Sequence, residues 1–300
     1  MTAAVSCPPP GVSSDPARLV SASQRRSPGG AYGLVVQGVP AQPDELVDAP
    51  ANWSAVELRV RVTPAPSKPA EYVHRRAACL QVRTGGSVLI DRSPGRATFT
   101  LPARPSASAL LHPHLAAVAA VWAHWSGREG FHAGALLAGG GVWGLLGHKC
   151  AGKSSALAGL ALAGIPIVCD DVLVLDGDSA LAGPRSIDLR ADAARRLGIG
   201  EQLGVVGDRE RWRVPLPAIK PELPFRGWVS LRWSDELAIR PVHGAERVRT
   251  LLEHRALRVP PRSPAALFEL ASLPFLEFSR PRCWTELESA SELLLDALSA

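Results

Sequence analysis

Residues 141–164 read GVWGLLGHKCAGKSSALAGLALAG, and this stretch decides the fold. The apolar run at residues 141–146 favours a buried strand, and the Ala/Leu-rich, proline-free run at residues 155–163 favours a helix. Between them, residues 147–154 have the spacing G-x-x-x-x-G-K-S. A strand, a glycine-containing loop and a helix in this order are the context that this phosphate-binding motif needs. The stretch therefore predicts an α/β fold with a phosphate loop.

A phosphate loop binds nucleotides mainly through its backbone. Successive N–H groups point into one concavity, and the N-terminus of the following helix adds partial positive charge. We expect Lys153 to reach the β- and γ-phosphates and the Ser154 hydroxyl to bind Mg²⁺. The alternative is a glycine-containing turn before a core helix, which leaves a buried Lys153 without a partner. The predicted nucleotide-binding residues are Gly147, His148, Lys149, Cys150, Ala151, Gly152, Lys153, Ser154 and Ser155.

A pair of aspartates follows the next apolar run. Residues 165–169, IPIVC, suit a buried parallel strand, which ends in Asp170 and Asp171. Two carboxylates at the end of a core strand are costly unless they meet a cation. One of them can hold Mg²⁺, directly or through water, and the other can accept a proton from an attacking hydroxyl. An acidic turn between two strands is the alternative interpretation.

These motifs resemble the catalytic domain of HPr kinase/phosphorylase and, more loosely, the phosphate loop of the phosphoenolpyruvate carboxykinase type. The resemblance rests on spacing and covers about residues 130–190. In that family a histidine precedes the loop, a glycine closes the helix after it, and paired aspartates follow a short apolar strand. The matching residues here are His132, Gly147, Gly152, Lys153, Ser154, Gly164, Asp170 and Asp171.

The resemblance implies a role for several of these side chains. Asp170 is implied to be the general base toward a serine hydroxyl, with His132 supporting it. Asp171 and Ser154 are implied to hold the metal. Asp188, in the segment IDLR at residues 187–190, is a weaker candidate for metal binding or another active-site role.

The chain also departs from the family pattern. Cys150 stands where a glycine is common, and Ser155 replaces a usual glutamate. The family's glycine-rich signature near the C-terminus is not recognisable in this sequence. The resemblance is therefore to HPr kinase-like proteins, whose stand-alone relatives look like kinases that tailor peptides in bacterial biosynthesis. It also implies a homo-oligomer, since the resembled family forms oligomers.

Composition narrows the class of function. The net charge is +5, but the sequence has no basic stripe interleaved with aromatic residues and no zinc-ligand spacing, so we expect no nucleic-acid partner. Five scattered cysteines argue for free thiols in a reducing cytoplasm. The N-terminus lacks the charged start and apolar core of a signal peptide, and no apolar run is long enough to span a bilayer. We therefore expect a cytoplasmic protein without membrane contact.

Three regions are predicted along the chain. Residues 1–30 are rich in Pro, Ser, Gly and Arg and are expected to be loose. Residues 31–108 contain short alternating runs separated by turn residues, which predict an antiparallel β-rich region. Residues 109–300 are assigned to the kinase-like domain. Within it, the runs at residues 227–233 and 238–242 are interpreted as paired strands.

Two sets of polar residues receive a structural rather than a functional interpretation. The histidines at the helix predicted over residues 114–125 are not spaced as a metal site and are interpreted as structural or surface residues. In the charge-dense run at residues 209–213, two arginines can clamp a phosphate, but a solvated strand or loop is favoured. The residues concerned are His112, His114, His124, Arg211 and Arg213.

The sequence thus predicts an α/β HPr kinase/phosphoenolpyruvate carboxykinase-like phosphate-loop domain with an N-terminal antiparallel β-rich region. The predicted activity is phosphoryl transfer from ATP, with Mg²⁺, to a serine hydroxyl of a protein or peptide. Two alternatives stay open. One is a kinase for a small hydroxylated metabolite such as free serine, and the other is a non-catalytic, nucleotide-binding regulatory module.

Overall fold

The computed structural model describes residues 27–41, 44–82, 85–206, 209–261 and 263–299. Most of the N-terminal stretch predicted to be loose lies outside the described residues. Its last two residues, Gly29 and Gly30, belong to a strand instead.

The N-terminal region forms a single eight-stranded sheet. Its strands are β1 (Gly29–Ala31), β2 (Leu34–Gln37), β3 (Val47–Asp48), β4 (Ser54–Val62), β5 (Tyr72–Val73), β6 (Ala77–Val82), β7 (Gly86–Asp91) and β8 (Arg96–Leu101). Their order is β3-β1-β2-β4-β8-β7-β6-β5. The strands β6, β7 and β8 form an antiparallel meander as predicted.

The prediction of a wholly antiparallel region is wrong, because the sheet is mixed. Strand β4 runs parallel to both of its neighbours, β2 and β8. A parallel pair needs a long connection between its strands. The excursion through β5, β6 and β7 supplies that connection between β4 and β8.

A kinked helical segment leads from this sheet into the rest of the chain. It comprises α1 (Ala107–Ala109), a turn at Leu110–His114 and α2 (Leu115–Trp125). The kink lies at His112, whose φ of −147° and ψ of 118° are extended. A residue that precedes a proline is pushed out of the helical region by steric clash, and Pro113 has this effect here. The helix α2 lies where the sequence predicted it, and its apolar face packs into a core shared by both sheets that flank it.

The second sheet has nine strands and carries the loop at residues 147–152 that the sequence predicts to bind phosphate, which we call the phosphate loop. The remaining strands in chain order are β9 (Glu129–Phe131), β10 (Gly134–Ala138), β11 (Gly141–Leu146), β12 (Ile167–Cys169), β13 (Leu173–Asp176), β14 (Ser179–Leu181), β15 (Ser186–Leu189), β16 (Glu201–Val206), β17 (Arg209–Pro215), β18 (Glu222–Trp233), β19 (Ala238–Pro241) and β20 (Phe275–Arg280). The nine-stranded sheet runs β12-β10-β11-β18-β14-β13-β9, with β20 on β18 and β19 on β20. Strands β15, β17 and β16 form a small separate antiparallel sheet.

The predicted pairing of residues 227–233 with residues 238–242 is wrong. Strand β20 lies between β18 and β19 and hydrogen-bonds to both. The error arose because β20 was not predicted from its sequence. Strands β11, β18 and β20 run parallel, so their carboxyl ends meet at one edge of the sheet. In open α/β sheets that edge is where ligands bind.

Helices surround the second sheet. They are α3 (Lys153–Leu162), α4 (Ala191–Leu197), α5 (Ala245–Glu253), α6 (Pro264–Ser272) and α7 (Leu287–Ser299), the last preceded by a 3₁₀ turn at Trp284–Glu286. After α3, Gly164 has a φ of +82°, a left-handed conformation that glycine adopts readily and that ends the helix. Within the described residues, no helix has both the length and the apolar character required to cross a bilayer.

Candidate functional site

The phosphate loop joins the end of β11 to the start of α3. Lys153 is the first residue of α3 and is largely buried, and its ammonium group donates to the Gly147 carbonyl with 2.5 Å between nitrogen and oxygen. Cys150 (φ +70°) and Gly152 (φ +79°) both lie in the left-handed region. A non-glycine residue there costs roughly 1 kcal/mol. The backbone at Cys150 is therefore the one for which a glycine is expected, although the chain carries a cysteine.

Two side chains from neighbouring strands brace this loop. The Arg280 guanidinium donates to the carbonyls of Ala151 at 3.0 Å and Gly152 at 3.2 Å. It also lies over the Trp233 ring, 4.5 Å from the ring centroid, and the Trp233 indole N–H donates to the Cys150 carbonyl at 3.0 Å. Burial lowers the pKa of Arg280 to about 10, so the group stays charged at neutral pH. Sequence reasoning missed both residues, since no motif marks them.

The acidic pair, Asp170 and Asp171, follows β12 and faces the start of α3. The Ser154 hydroxyl lies 3.1 and 3.3 Å from the two carboxylate oxygens of Asp170 and donates to them. The Asp170 side chain is 2% exposed, whereas that of Asp171 is 31% exposed. The hydroxyl of Tyr32, in the turn between β1 and β2, donates to the Asp170 carbonyl at 3.3 Å. The N-terminal sheet therefore supports the backbone at the acidic pair.

The two carboxyl groups have opposite pKa shifts. Burial, together with the neighbouring Asp171 charge, raises the pKa of Asp170 to about 6. Burial also opposes ionisation of Asp171, but surrounding positive charges, His112 first among them, lower its pKa below the ordinary value. Two titratable groups whose environments separate their pKa values are suited to different chemical roles. Near neutral pH the Asp171 carboxyl group is therefore ionised, whereas the pKa of Asp170, about 6, lies close to the solution pH.

His112 lies near three carboxylates and is buried, so of the two predicted alternatives, a structural or a surface residue, the surface one is wrong. Its Nε2 atom is 3.8 Å from an oxygen of Asp170 and 3.7 Å from oxygens of Asp171 and Asp188. The side chain is 1% exposed, and Nε2 has no hydrogen-bond partner within the described protein. Spacing along the helix could not reveal this position, because Pro113 breaks the helix and holds His112 in an extended conformation.

Asp188 is buried and paired with arginines. Arg213 donates Nε to Oδ1 at 2.9 Å and Nη2 to Oδ2 at 3.2 Å, and Arg211 donates to Oδ2 at 3.3 Å. Arg213 also donates to the His112 carbonyl at 2.6 Å. The favoured interpretation of residues 209–213 as a solvated segment is wrong for Arg213, which is 9% exposed. Residues 188 and 213 are direct partners across β15 and β17, and the buried carboxylate holds the arginine inward.

His132 lies between β9 and β10, on the wall of the same cavity as Asp171. Its charge is one of those that lower the pKa of Asp171. Its backbone N–H donates to the His254 carbonyl at 2.6 Å, which fixes this turn against the end of α5. The structure thus brings His132 to the acidic pair, where its charge affects the pKa of Asp171.

A cavity of about 350 Å³ joins these elements. Of the predicted nucleotide-binding residues, His148 to Ser155 line it and Gly147 does not; Asp171 and Asp188 line it as well. Arg190, Arg209 and Arg211 lie on its wall beside the small sheet. A second wall is formed by Trp233, Arg280, Trp284 and Leu287. Its volume falls in the range of pockets that hold small molecules and cofactors.

The residues present fit a Mg²⁺ ion that is held jointly with a phosphate ligand. No group of three or more His, Cys, Asp or Glu side chains in the described parts of the chain is arranged to hold a metal by itself. Mg²⁺ usually keeps several waters and is bound through one or two carboxylates plus substrate phosphates. Ser154 and the partly exposed Asp171, whose pKa is lowered, meet that requirement beside the loop.

Comparison with known proteins found similarity among solved structures. No family model matches the sequence, and no curated protein matches it. Among solved structures, the chain is similar to the HPr(Ser) kinase/phosphatase from Coxiella burnetii, with 14% sequence identity and a TM-score of 0.30. The similarity covers 56% of this chain and 95% of that one. It is a distant structural resemblance, and function here rests on the site itself.

Proposed function

We propose that this protein is an ATP-dependent kinase that transfers a phosphoryl group to a serine hydroxyl of a protein or peptide. One observation carries the proposal. The Ser154 hydroxyl at the start of α3 is hydrogen-bonded to Asp170, and Ser154 and the neighbouring Asp171 line the cavity, whereas the Asp170 side chain does not. Phosphoryl transfer needs positioning and charge stabilisation at such a site, and little covalent chemistry from the protein.

The loop is proposed to bind the triphosphate. Its backbone N–H groups and the N-terminus of α3 attract anions, and Lys153 places an ammonium group at the mouth of the loop. Burial lowers the pKa of Lys153, while the charges of Asp170 and Asp171 oppose that shift. Ser154 and Asp171 are proposed to hold Mg²⁺, which when bound neutralises charge on the phosphates.

Asp170 is proposed to be the general base. A base works best when its pKa is near the working pH, and burial has moved the pKa of Asp170 to about 6. The carboxylate takes the proton of the serine hydroxyl while the oxygen bonds to the γ-phosphorus and the bond from phosphorus to ADP breaks. His132, on the cavity wall, is proposed to assist the acidic pair.

Asp188 and His112 are proposed to position this pair rather than to react. Both Asp188 oxygens contact arginines, which leaves the carboxylate poorly placed for the metal-binding role that the sequence suggested. The Nε2 atom of His112 lies at nearly equal distances from a carboxylate oxygen of each of the three aspartates, Asp170, Asp171 and Asp188. Buried carboxylates in close proximity are stable only when paired with positive or hydrogen-donating groups. His112 and the two arginines are such groups.

A transfer assay tests the proposal. The full chain is incubated with radiolabelled ATP, MgCl₂ and three acceptors in parallel: a library of serine peptides, free serine and water. We expect label on peptide serines, and a loss of about 100-fold or more in Lys153→Ala. Lys220→Ala removes an exposed lysine outside the cavity and serves as the matched control.

Each acceptor reports a different outcome. Label on free serine alone would replace the peptide kinase with a small-molecule kinase. Nucleotide binding without label on any acceptor would favour the regulatory module and overturn the proposal. Running the active protein on a sizing column tests the accompanying proposal that it is a homo-oligomer.

A further inference from the structure

The cavity has an aromatic end that the proposed phosphoryl transfer does not use. Trp233, Trp284 and Leu287 line the same cavity as the phosphate loop and the arginines of the small sheet. Trp233 ends β18, and Trp284 begins the 3₁₀ turn after β20. Because these two strands are parallel neighbours, both indoles belong to the same edge of the sheet.

Trp233 is fixed relative to the loop. Its N–H is hydrogen-bonded to the Cys150 carbonyl, and Arg280 stacks over its ring. A side chain at Gly152 would place its Cβ 2.9 Å from the Trp233 ring, so the indole edge lies directly against the loop backbone. This contact sets the distance between the aromatic wall and the groups that bind phosphate.

Trp284 differs from Trp233 in its exposure. It is 36% exposed, one of the large apolar side chains in the described residues that remain open to solvent. An exposed aromatic on the wall of a concave site is a typical feature of a ligand-binding surface. Aromatic faces bind planar rings by stacking, whatever the pattern of hydrogen-bonding groups on the ring edge.

We propose that this aromatic end binds the nucleobase of the nucleotide, with Trp284 as its stacking partner and Trp233 as the wall that joins it to the phosphate loop. The inference rests on the proposed function, since it assumes a nucleotide whose phosphates lie on the loop. The indole faces of Trp233 and Trp284 match a flat ring, and Arg280 and Arg282 line the cavity at the same end.

The experiment compares ADP with tripolyphosphate, which has phosphates but no base. Binding of each, with MgCl₂, is measured by calorimetry on the full chain. We expect Trp284→Ala to weaken ADP binding about tenfold and to leave tripolyphosphate binding unchanged. Trp284→Phe keeps an aromatic face and should restore most of the ADP affinity. Phe268→Ala, which removes an exposed aromatic on α6 outside the cavity, is the matched control.

The two ligands separate the possible failures. Equal weakening of both ligands in Trp284→Ala, or no weakening of ADP, would overturn the base site while leaving the phosphate loop in place. Wild-type protein that binds neither ligand would overturn the proposed function, and the base site with it. Thermal melting of each variant shows whether it is folded.

Discussion

The reacting groups and the groups that hold them come from two differently built parts of the chain. Residues 147–171 form one contiguous segment that supplies the phosphate loop, Lys153, Ser154 and the acidic pair. A second set, which we call the remote set, consists of His112, Asp188, Arg213, Trp233 and Arg280. Its members come from five separate places in the sequence. The contiguous segment carries the proposed chemistry, and the remote set fixes its geometry and charge.

The difference has a physical origin. Phosphate binding by a loop and a helix N-terminus is a local property of backbone conformation, so a short run of sequence can encode it. Charge balance around buried carboxylates depends on whatever the fold brings within a few ångströms. The N-terminal sheet contributes to the arrangement of these carboxylates and their partners. It supports Asp170 through Tyr32 and leads into the kink that places His112.

The largest effect is expected within the contiguous segment. Asp170→Asn should lower kcat by about 10²–10⁴-fold with little change in the Mg·ATP dissociation constant, because it removes the proposed proton acceptor. Asp171→Asn should instead weaken Mg·ATP binding and raise the MgCl₂ concentration needed for half-maximal activity. Steady-state kinetics with a metal titration measures both. If the two variants showed the reverse pattern, Asp171 would be the general base and Asp170 the metal ligand. The greater exposure of the Asp171 side chain would then explain that assignment.

The pH dependence sharpens the same test. A general base acts only when ionised, and the pKa of Asp170 is about 6. Activity, measured as kcat/KM, should therefore rise with pH through about 6 and level off above it. The residual activity of Asp170→Asn should lack this rise. A rise that persists in Asp170→Asn would assign the titration to another group.

The contiguous segment could be predicted from the sequence because its elements are neighbours both along the chain and in space. The strand before Gly147, the helix after the loop and the aspartates after Cys169 lie where the sequence predicted them, but β12 pairs antiparallel with β10, so the prediction of a parallel strand before the aspartates is wrong. The roles of Asp170, Asp171 and His132 stay predictions, although Asp171 and His132 line one cavity and Asp170 is hydrogen-bonded to Ser154, which lines it too. The α/β character was recovered for the same reason, since it follows from local patterns.

Apart from Asp188, which the sequence indicated as a weaker candidate for metal binding or another active-site role, the remote set was missed because its signals are tertiary. His112 was misinterpreted since helix periodicity does not hold across the proline that follows it. Arg213 was assigned to a solvated strand because alternation along β17 does not show which buried group lies opposite. Arg280 lies on β20, a strand that was not predicted, and so its contact with the loop could not be inferred. Two signals were available in retrospect: a histidine before a proline, and charged residues in a strand next to a candidate acidic residue.

Substitution of His112, the member of the remote set that lies near all three carboxylates, is expected to have an intermediate effect on kcat. His112→Ala should lower kcat by about 10–100-fold and change the KM for ATP by less than about threefold, because the carboxylates lose the imidazole that lies near all three of them and shift relative to Ser154. His112→Gln, which keeps a hydrogen donor near the Nε2 position, should recover part of the loss. Kinetics and thermal melts on the same samples separate a positioning role from unfolding.

The control for His112 lies two residues away. His114 is also buried, and burial lowers its pKa to about 4, so it is neutral at working pH and packs against Phe99. His114→Gln should lower the melting temperature without the loss in kcat. If the two variants reduced kcat equally after correction for folded fraction, His112 would be a packing residue and the distinction between the two parts of the site would fail.

The smallest effect is expected at Arg280, where the remote set touches the loop backbone. Arg280→Lys keeps the charge but loses the planar fork that donates to the Ala151 and Gly152 carbonyls and stacks on Trp233. The loop should become less ordered, and the KM for ATP should rise about 3–10-fold while kcat stays within about twofold. Arg232→Lys, on the neighbouring strand and 68% exposed, is the matched control. A fall in kcat that matched the rise in KM would mean that Arg280 acts on the transition state, and the remote set would then share in the chemistry that the contiguous segment is proposed to perform.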